Sequence, residues 1–197
     1  GKTIPYEVRK DWEYYWMVDP LDGTKEFVKR NGEFTVNIAF MDKDSPFFGV
    51  IYCPVSGSIC AGFNDTVYSL NKLQASDLSE NKLEEYTLKS TLNSEKNEIK
   101  VVASRSHLSP ETENFISMLN LNGDKISMVN AGSALKFCLL AEGKATVYPR
   151  FAPTMEWDTA AGHAILKACG KNIMLYPSNT EMKYHKPSLV NDWFIAR

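Results

Sequence analysis

What this chain lacks narrows its chemistry before any motif is read. It has no apolar run near the roughly 18 residues that a membrane-spanning helix needs, so no integral membrane segment is expected. Its start, Gly1-Lys-Thr-Ile-Pro5, lacks the apolar stretch of a signal peptide. It carries no long block of like charge, and its formal net charge of −2 argues against a protein that grips nucleic acid through a basic face. Any phosphate it binds is therefore expected to be a small ligand. Cys53, Cys60, Cys138 and Cys169 form no CxxC pair, which fits buried reduced thiols better than a disulfide framework or a zinc site, and a reducing cytoplasm is the natural compartment. There is no internal repeat, no low-complexity tract and no initiating Met. Because the chain enters its strongest motif almost at once, its natural N-terminus is expected upstream of Gly1, making this a fragment or processed piece.

What is present is an ordinary globular composition. With 197 residues, 44% of them hydrophobic and 12% aromatic, the chain can bury a core for one large domain or two small ones. Strand-like runs at Tyr14 to Val18, Phe34 to Phe40, Phe47 to Cys53, Ser58 to Gly62 and Val67 to Leu70 are joined by short, turn-rich connections such as Asp42-Lys-Asp-Ser-Pro46. This half reads as an antiparallel meander. From about Gln74 to Lys100 the composition shifts to Ser, Asn, Glu and Lys, which marks a surface excursion and a boundary between lobes at 1–98 and 99–197. Beyond it the pattern alternates. Strands are expected at Ile99 to Ala103, Lys125 to Val129, Ala145 to Tyr148 and Asp192 to Ala196, and helices at Pro110 to Leu121, Ser133 to Glu142 and Asp158 to Cys169. Such alternation predicts an α/β lobe with a mostly parallel sheet, and the fold class as a whole is α+β.

The first chemical landmark is Trp16-Met-Val-Asp-Pro-Leu-Asp-Gly-Thr24. Asp19 and Asp22 follow an apolar strand, so a tight turn through Pro20 and Leu21 would aim two carboxylates and the Leu21 carbonyl at one point, the oxygen cluster that Mg²⁺ prefers. Gly23 and Thr24 come next, and their backbone N–H groups would approach a phosphate held by the same metal. Asp-Pro and Asp-Gly are also common turn dipeptides, and a bare pair of acids carries no more than turn chemistry. The second landmark is Trp157-Asp-Thr-Ala-Ala-Gly162, where Asp158 opens a helix of small residues. Taken alone Asp158 is an N-cap, although a capping carboxylate can also ligate a metal.

These two strings, in this order, resemble the two signatures of the inositol monophosphatase superfamily of lithium-sensitive, magnesium-dependent phosphatases. The flanks Lys25-Glu-Phe-Val-Lys-Arg30 and Leu135-Lys-Phe-Cys-Leu139 through Tyr148-Pro-Arg-Phe151 look most like its CysQ-type 3'(2'),5'-bisphosphate nucleotidase branch. The resemblance runs from about Asp11 to the C-terminus and is weakest between Gln74 and Lys100. It implies a layered, sugar-phosphatase-like fold with an antiparallel-sheet lobe and an α/β lobe. It also implies Asp19, Asp22 and Asp158 as metal carboxylates with the Leu21 carbonyl, Mg²⁺ as cofactor, and Asp19, Asp22 and Thr24 as catalytic residues. Gly23, Thr24 and Asp158 would face the scissile phosphate, Ser104 and His107 the nucleotide, and Ser133, Lys136 and Arg150 a phosphate that is not cleaved. For Lys136 or Arg150 alone a solvated surface charge is the ordinary reading, and for His107 a surface or capping histidine. Relatives carry, before the first motif, a metal-binding glutamate and an Asp/Thr pair that orient the attacking water. No residue here takes those places, and Glu7 and Glu13 lie too near the strand.

The expected activity is thus Mg²⁺-dependent hydrolysis of the 3'-phosphate of adenosine 3',5'-bisphosphate to AMP and phosphate, a nucleotide-recycling step in sulfur metabolism. An inositol or sugar monophosphatase using the same metal centre is the alternative within the superfamily. A non-catalytic nucleotide-binding fragment is the alternative outside it. The expected location is cytoplasmic, with peripheral attachment to the inner membrane and a homodimer both left open.

Overall fold

The computed structural model describes residues 3–73, 87, 98–103, 108–119 and 125–197. After a single helical turn, α1 (Tyr6–Arg9), the chain runs through β1 (Tyr14–Asp22), a second short helix α2 (Thr24–Val28), and then β2 (Thr35–Asp42), β3 (Ser45–Cys53), β4 (Ser58–Phe63) and β5 (Thr66–Leu70). Sequential strands pair antiparallel in the order β1-β2-β3-β4-β5, the meander that alternation and short turns predict. The β4–β5 connection shows why it is so tight. Asn64 (φ 47°) and Asp65 (φ 56°) both lie in the left-handed region, the conformation a two-residue hairpin needs to match the twist of its strands. One face of the sheet is apolar and buried through Ala39, Met41, Ile51, Cys60 and Val67.

The second half contains β6 (Glu98–Ala103), α3 (Pro110–Leu119), β7 (Lys125–Asn130), α4 (Leu135–Ala141), β8 (Tyr148–Arg150), β9 (Thr154–Met155), α5 (Glu156–Lys167), β10 (Ile173–Leu175), β11 (Val190–Asn191) and β12 (Phe194–Ala196). The mixed fold agrees with the α+β expectation, with one difference in proportion. Among the described residues, parallel pairing joins β6 to β7 and continues as a bridge from Val101 to Val147, whereas β10-β12-β8 and β11-β9 are antiparallel. Alternation of helix and strand places elements in layers but does not fix strand direction when a helix is followed by a hairpin.

Three boundaries fall elsewhere than expected. The helix expected from Ser133 starts at Leu135, because Ser133 is itself left-handed at φ 52°. The strand expected at Ala145 to Tyr148 is displaced to Tyr148–Arg150, since Val147 is used in the bridge to β6. The helix expected from Asp158 begins two residues earlier at Glu156, which makes Asp158 its third residue and Met155 its N-cap.

α5 lies across the buried face of the meander and joins the two halves into one core. Its Ala160, Ala161, Ile165 and Leu166 share a cluster with Met41, Ile51 and Val67 of the sheet, Phe137 and Leu140 of α4, and Ile173 and Phe194 of the C-terminal strands. Burying a side chain such as Phe194 or Leu166 contributes about 1.5–3 kcal/mol relative to exposure. The approach is unusually close at two glycines. A Cβ on Gly49 would sit 2.2 Å from the Ala161 carbonyl oxygen, and one on Gly62 would sit 2.5 Å from Ile165 Cα, so helix backbone rests on sheet backbone. A smaller cluster of Val101, Phe115, Val147 and Phe151 fills the space under α3. All four cysteines are free, with Cys53, Cys60 and Cys138 buried, in agreement with the reading of reduced thiols. No helix among the described residues is long and apolar enough to cross a membrane.

Candidate active site

The site begins with an irregularity in β1. Asp19 pairs with Asn37 and Asp22 pairs with Thr35, so three residue steps on β1 oppose two on β2. This bulge expels Pro20 and turns the strand end, and it brings both carboxylates to one side. Asp19 Oδ1 accepts the Leu21 N–H at 3.1 Å, which tightens the turn. The chain then reverses through Gly23, whose φ of 85° is open to glycine and strained for other residues, and which lies so close to Ser133 that a Cβ would meet Ser133 Cβ at 3.1 Å. Thr24 starts α2 directly afterwards. The first N–H groups of that helix have no partner within it and remain available to an anion.

The third carboxylate arrives from the other half of the molecule. Asp158 Oδ2 accepts the Met155 N–H at 2.7 Å, reaching back over the first turn of α5. Asp19, Asp22 and Asp158 each present an oxygen, and these atoms lie within 4.8 Å of one another. Burial, reinforced by the charges of Asp22 and Asp19, raises Asp158 to about 6. Burial together with Asp22 also raises Asp19. Three half-buried acids converging on one point are a poor structural device and a good cation site, and an all-oxygen donor set suits a hard divalent ion.

Ser133, Lys136 and Arg150 fall around this centre in different ways. The Ser133 hydroxyl donates a short hydrogen bond to the Asp22 carboxylate, so it directly buttresses a member of the acidic cluster. Lys136 is not a solvated surface charge: it is 6% exposed, its ammonium donates to Ser133 O at 2.8 Å and Ala131 O at 3.4 Å, and it lies 5.3 Å from the Tyr148 ring centre. Burial lowers its pKa from 10.5 to about 8, with Asp22 opposing that shift and Arg150 adding to it. The Nε of Arg150 is buried with no hydrogen-bond partner among the described residues. An orphaned guanidinium N–H next to a buried ammonium is a costly arrangement unless an anion completes it. Ser104 and His107 lie outside the described residues.

Two polar groups were missed by motif reading. Thr35 and Asn37 are 0% and 1% exposed on the inner face of β2, opposite Asp22 and Asp19. Thr35 Oγ1 lies 2.7 Å from Ser133 Oγ and donates to Asn37 Oδ1 at 2.9 Å, while Asn37 Nδ2 donates to Asp22 Oδ2 at 3.4 Å. Their signal was polarity at core-facing positions of an otherwise apolar strand, Thr35-Val-Asn-Ile-Ala39.

A sequence model of the Inositol monophosphatase family matches residues 2–192. The chain belongs to that family. Within the family it is 45% identical over 169 residues to the 3'(2'),5'-bisphosphate nucleotidase CysQ of Escherichia coli K12, covering 85% of this chain and 61% of that protein. It is 40% identical over 190 residues to the protein of the same name from Salmonella typhimurium, covering 96% of this chain and 70% of that one. The crystal structure of CysQ from Bacteroides thetaiotaomicron superposes with a TM-score of 0.90 at 44% identity, over 100% of this chain and 74% of that one. The chain thus spans about three fifths of the length of the E. coli relative. More distant members share the fold alone, among them 2'AMP-bound SaIMPase-II with a TM-score of 0.73 at 19% identity.

Proposed function

We infer that the chain provides the core of a Mg²⁺-dependent 3'(2'),5'-bisphosphate nucleotidase, removing the 3'-phosphate of adenosine 3',5'-bisphosphate to leave AMP and inorganic phosphate. One observation carries the reading: carboxylates from β1 and from α5 converge within 4.8 Å beside the open N-terminus of α2. The names of the similar bacterial nucleotidases favour the bisphosphate substrate. Recycling of that nucleotide in sulfur metabolism, a cytoplasmic location and inhibition by lithium follow from the same reading.

The residues divide the work. Asp19, Asp22 and Asp158, together with the Leu21 carbonyl, form the oxygen donor set. When bound there, Mg²⁺ supplies Lewis acidity that polarises a water and neutralises charge on the departing oxygen. The Gly23 and Thr24 N–H groups hold the transferring phosphoryl oxygens in line, so positioning and electrostatics carry the catalysis without a covalent phosphoenzyme. Thr35, Asn37 and Ser133 fix the rotamer of Asp22 before anything binds. Arg150, with its orphaned Nε, and the Lys136 ammonium form a second anion locus in which the uncleaved phosphate would sit.

Phosphate release tests this directly. Adenosine 3',5'-bisphosphate and inositol 1-phosphate would be supplied in parallel with Mg²⁺, without it, and with added Li⁺, to this chain and to an N-terminally extended form. Mg²⁺-dependent, Li⁺-inhibited release from the bisphosphate is expected. No release from the extended form under any of these conditions would overturn the reading, and preference for the inositol phosphate would reassign the substrate.

A further inference from the structure

Beyond the acidic cluster, one buried charge is used by nothing described so far. Glu156, the first residue of α5, is 0% exposed. Its carboxylate accepts the His185 N–H at 2.9 Å, the Lys186 N–H at 3.0 Å and the Lys186 ammonium at 2.8 Å. Two consecutive backbone N–H groups converge on one carboxylate here because His185 adopts a left-handed backbone, φ 64°. For a non-glycine residue that conformation costs of order 1 kcal/mol and persists when its surroundings require it. The result is a small anion nest closed around a side chain of the protein itself.

The same segment grips the helix start at several further points. The Glu156 N–H donates to Leu189 O at 2.9 Å. β11 pairs with β9, placing Val190 opposite Met155 and Asn191 opposite Thr154. Asn191 Nδ2 donates to Met155 O at 2.8 Å and to Thr159 Oγ1 at 3.0 Å. From the far side, buried Arg9 donates to Lys186 O at 2.6 Å, and the His185 ring nitrogen lies 2.6 Å from Arg9 O. Asp158 stands two residues along this clamped turn, and its own carboxylate is tied to Met155. The 185–191 segment therefore holds the residues on the N-terminal side of that metal carboxylate, Met155 and Glu156, from several directions.

We propose that Glu156 and its nest of His185 and Lys186 form a positioning device for Asp158, holding the first turn of α5 where the third carboxylate meets Asp19 and Asp22, and so setting the affinity of the site for a divalent cation. The proposal rests on the metal-centre reading above and extends it to residues that touch neither metal nor substrate. Its geometry separates it from two simpler accounts. If Glu156 only stabilised the fold, any equally destabilising change in α5 would weaken metal binding equally. If it acted only as a nearby negative charge, removing the cation of Lys186 would tighten divalent binding. A positioning role predicts weaker binding from either change.

The test is direct titration of the protein with Mn²⁺, followed by electron paramagnetic resonance and by calorimetry, with thermal unfolding recorded for each variant. Glu156→Gln is expected to raise the Mn²⁺ dissociation constant about tenfold, the lower end of what outer-layer partners of metal ligands commonly contribute. Lys186→Met, the milder change and the safeguard should Glu156→Gln fail to fold, is expected to raise it about threefold, below that range because Lys186 acts on Asp158 only through Glu156. Leu166→Ala, at the other end of α5, is expected to lower the melting temperature at least as much while leaving Mn²⁺ affinity unchanged. Tighter binding in Lys186→Met, unchanged binding in Glu156→Gln, or equal weakening in Leu166→Ala would each overturn the positioning role while leaving the metal centre intact. Absence of Mn²⁺ binding in the unmodified protein would overturn the metal-centre reading and this proposal with it.

Discussion

The two arms of the acidic cluster are built on opposite principles. Asp19 and Asp22 sit at the end of β1, where a one-residue bulge and the left-handed Gly23 directly after it shape the turn from within the run Trp16 to Thr24. Asp158 sits on a helix whose start is held by residues 185–191 and whose body rests on β3 and β4. The first arm is shaped locally, and Thr35, Asn37 and Ser133 then fix its Asp22. The second is assembled by tertiary contacts, so the site exists only when both halves of the molecule have packed. Function at such a centre is sensitive to small errors of position, and the far arm carries most of that risk.

Breaking the local arm should have the largest effect. Asp22→Asn removes one charge and puts an amide NH2 donor in place of one carboxylate oxygen beside Ser133, Thr35 and Asn37, and turnover of adenosine 3',5'-bisphosphate is expected to vanish while the melting temperature stays near that of the parent. Breaking the seat of the far arm comes next. Gly49→Ala places a methyl group against the Ala161 carbonyl, and overpacking of this kind should cost about 3 kcal/mol, or roughly 9 °C in melting temperature by calorimetry.

Asp158→Asn sharpens the comparison, because it should cost function and gain stability. Burial and the neighbouring carboxylates hold Asp158 at about 6, so the metal-free protein loses stability as pH rises from 3.8 to about 6, and the cost is fully present above that. The amide removes it, and after discounting for partial exposure a gain of about 2 kcal/mol is expected near pH 7. The rise in melting temperature that Mg²⁺ gives the parent should disappear in this variant. Lys136→Ala is expected to raise KM for the bisphosphate about tenfold and to spare monophosphate turnover, the loss of one charge-assisted hydrogen bond. Equal losses on both substrates would remove Lys136 from the second anion locus. The smallest effect is expected from Thr35→Ala, where loss of a buried hydroxyl beside Ser133 should weaken Mg²⁺ binding by about 1 kcal/mol in a calorimetric titration.

The same contrast explains what could be read from the sequence. The meander was legible because alternation and turn residues are local signals, and β2 through β5 lie within a few residues of where the runs of Phe34, Phe47, Ser58 and Val67 put them. The local arm was legible too, since Trp16 to Thr24 carries its strand, turn and acids in one string. Asp158 was visible as an acid at a helix start, but its place as third helical residue was not, because the start is set by pairing of Met155 with Val190 far along the chain. Thr35 and Asn37 look like ordinary strand residues until register sets them opposite Asp22 and Asp19. The burial of Lys136 was likewise invisible, since a lysine in sequence is a surface residue by default and only the fold places Tyr148 beneath it.

The bare contact of α5 with Gly49 and Gly62 has a mechanical meaning. Where side chains separate a helix from a sheet, rotamer changes let the helix slide by fractions of an ångström at little cost. Here peptide backbone meets peptide backbone, and no compliant layer lies between them. The seat of the helix that bears Asp158 on β3 and β4 is thereby set by the thickness of the main chain. The third carboxylate of the centre is mounted on this backbone-to-backbone joint.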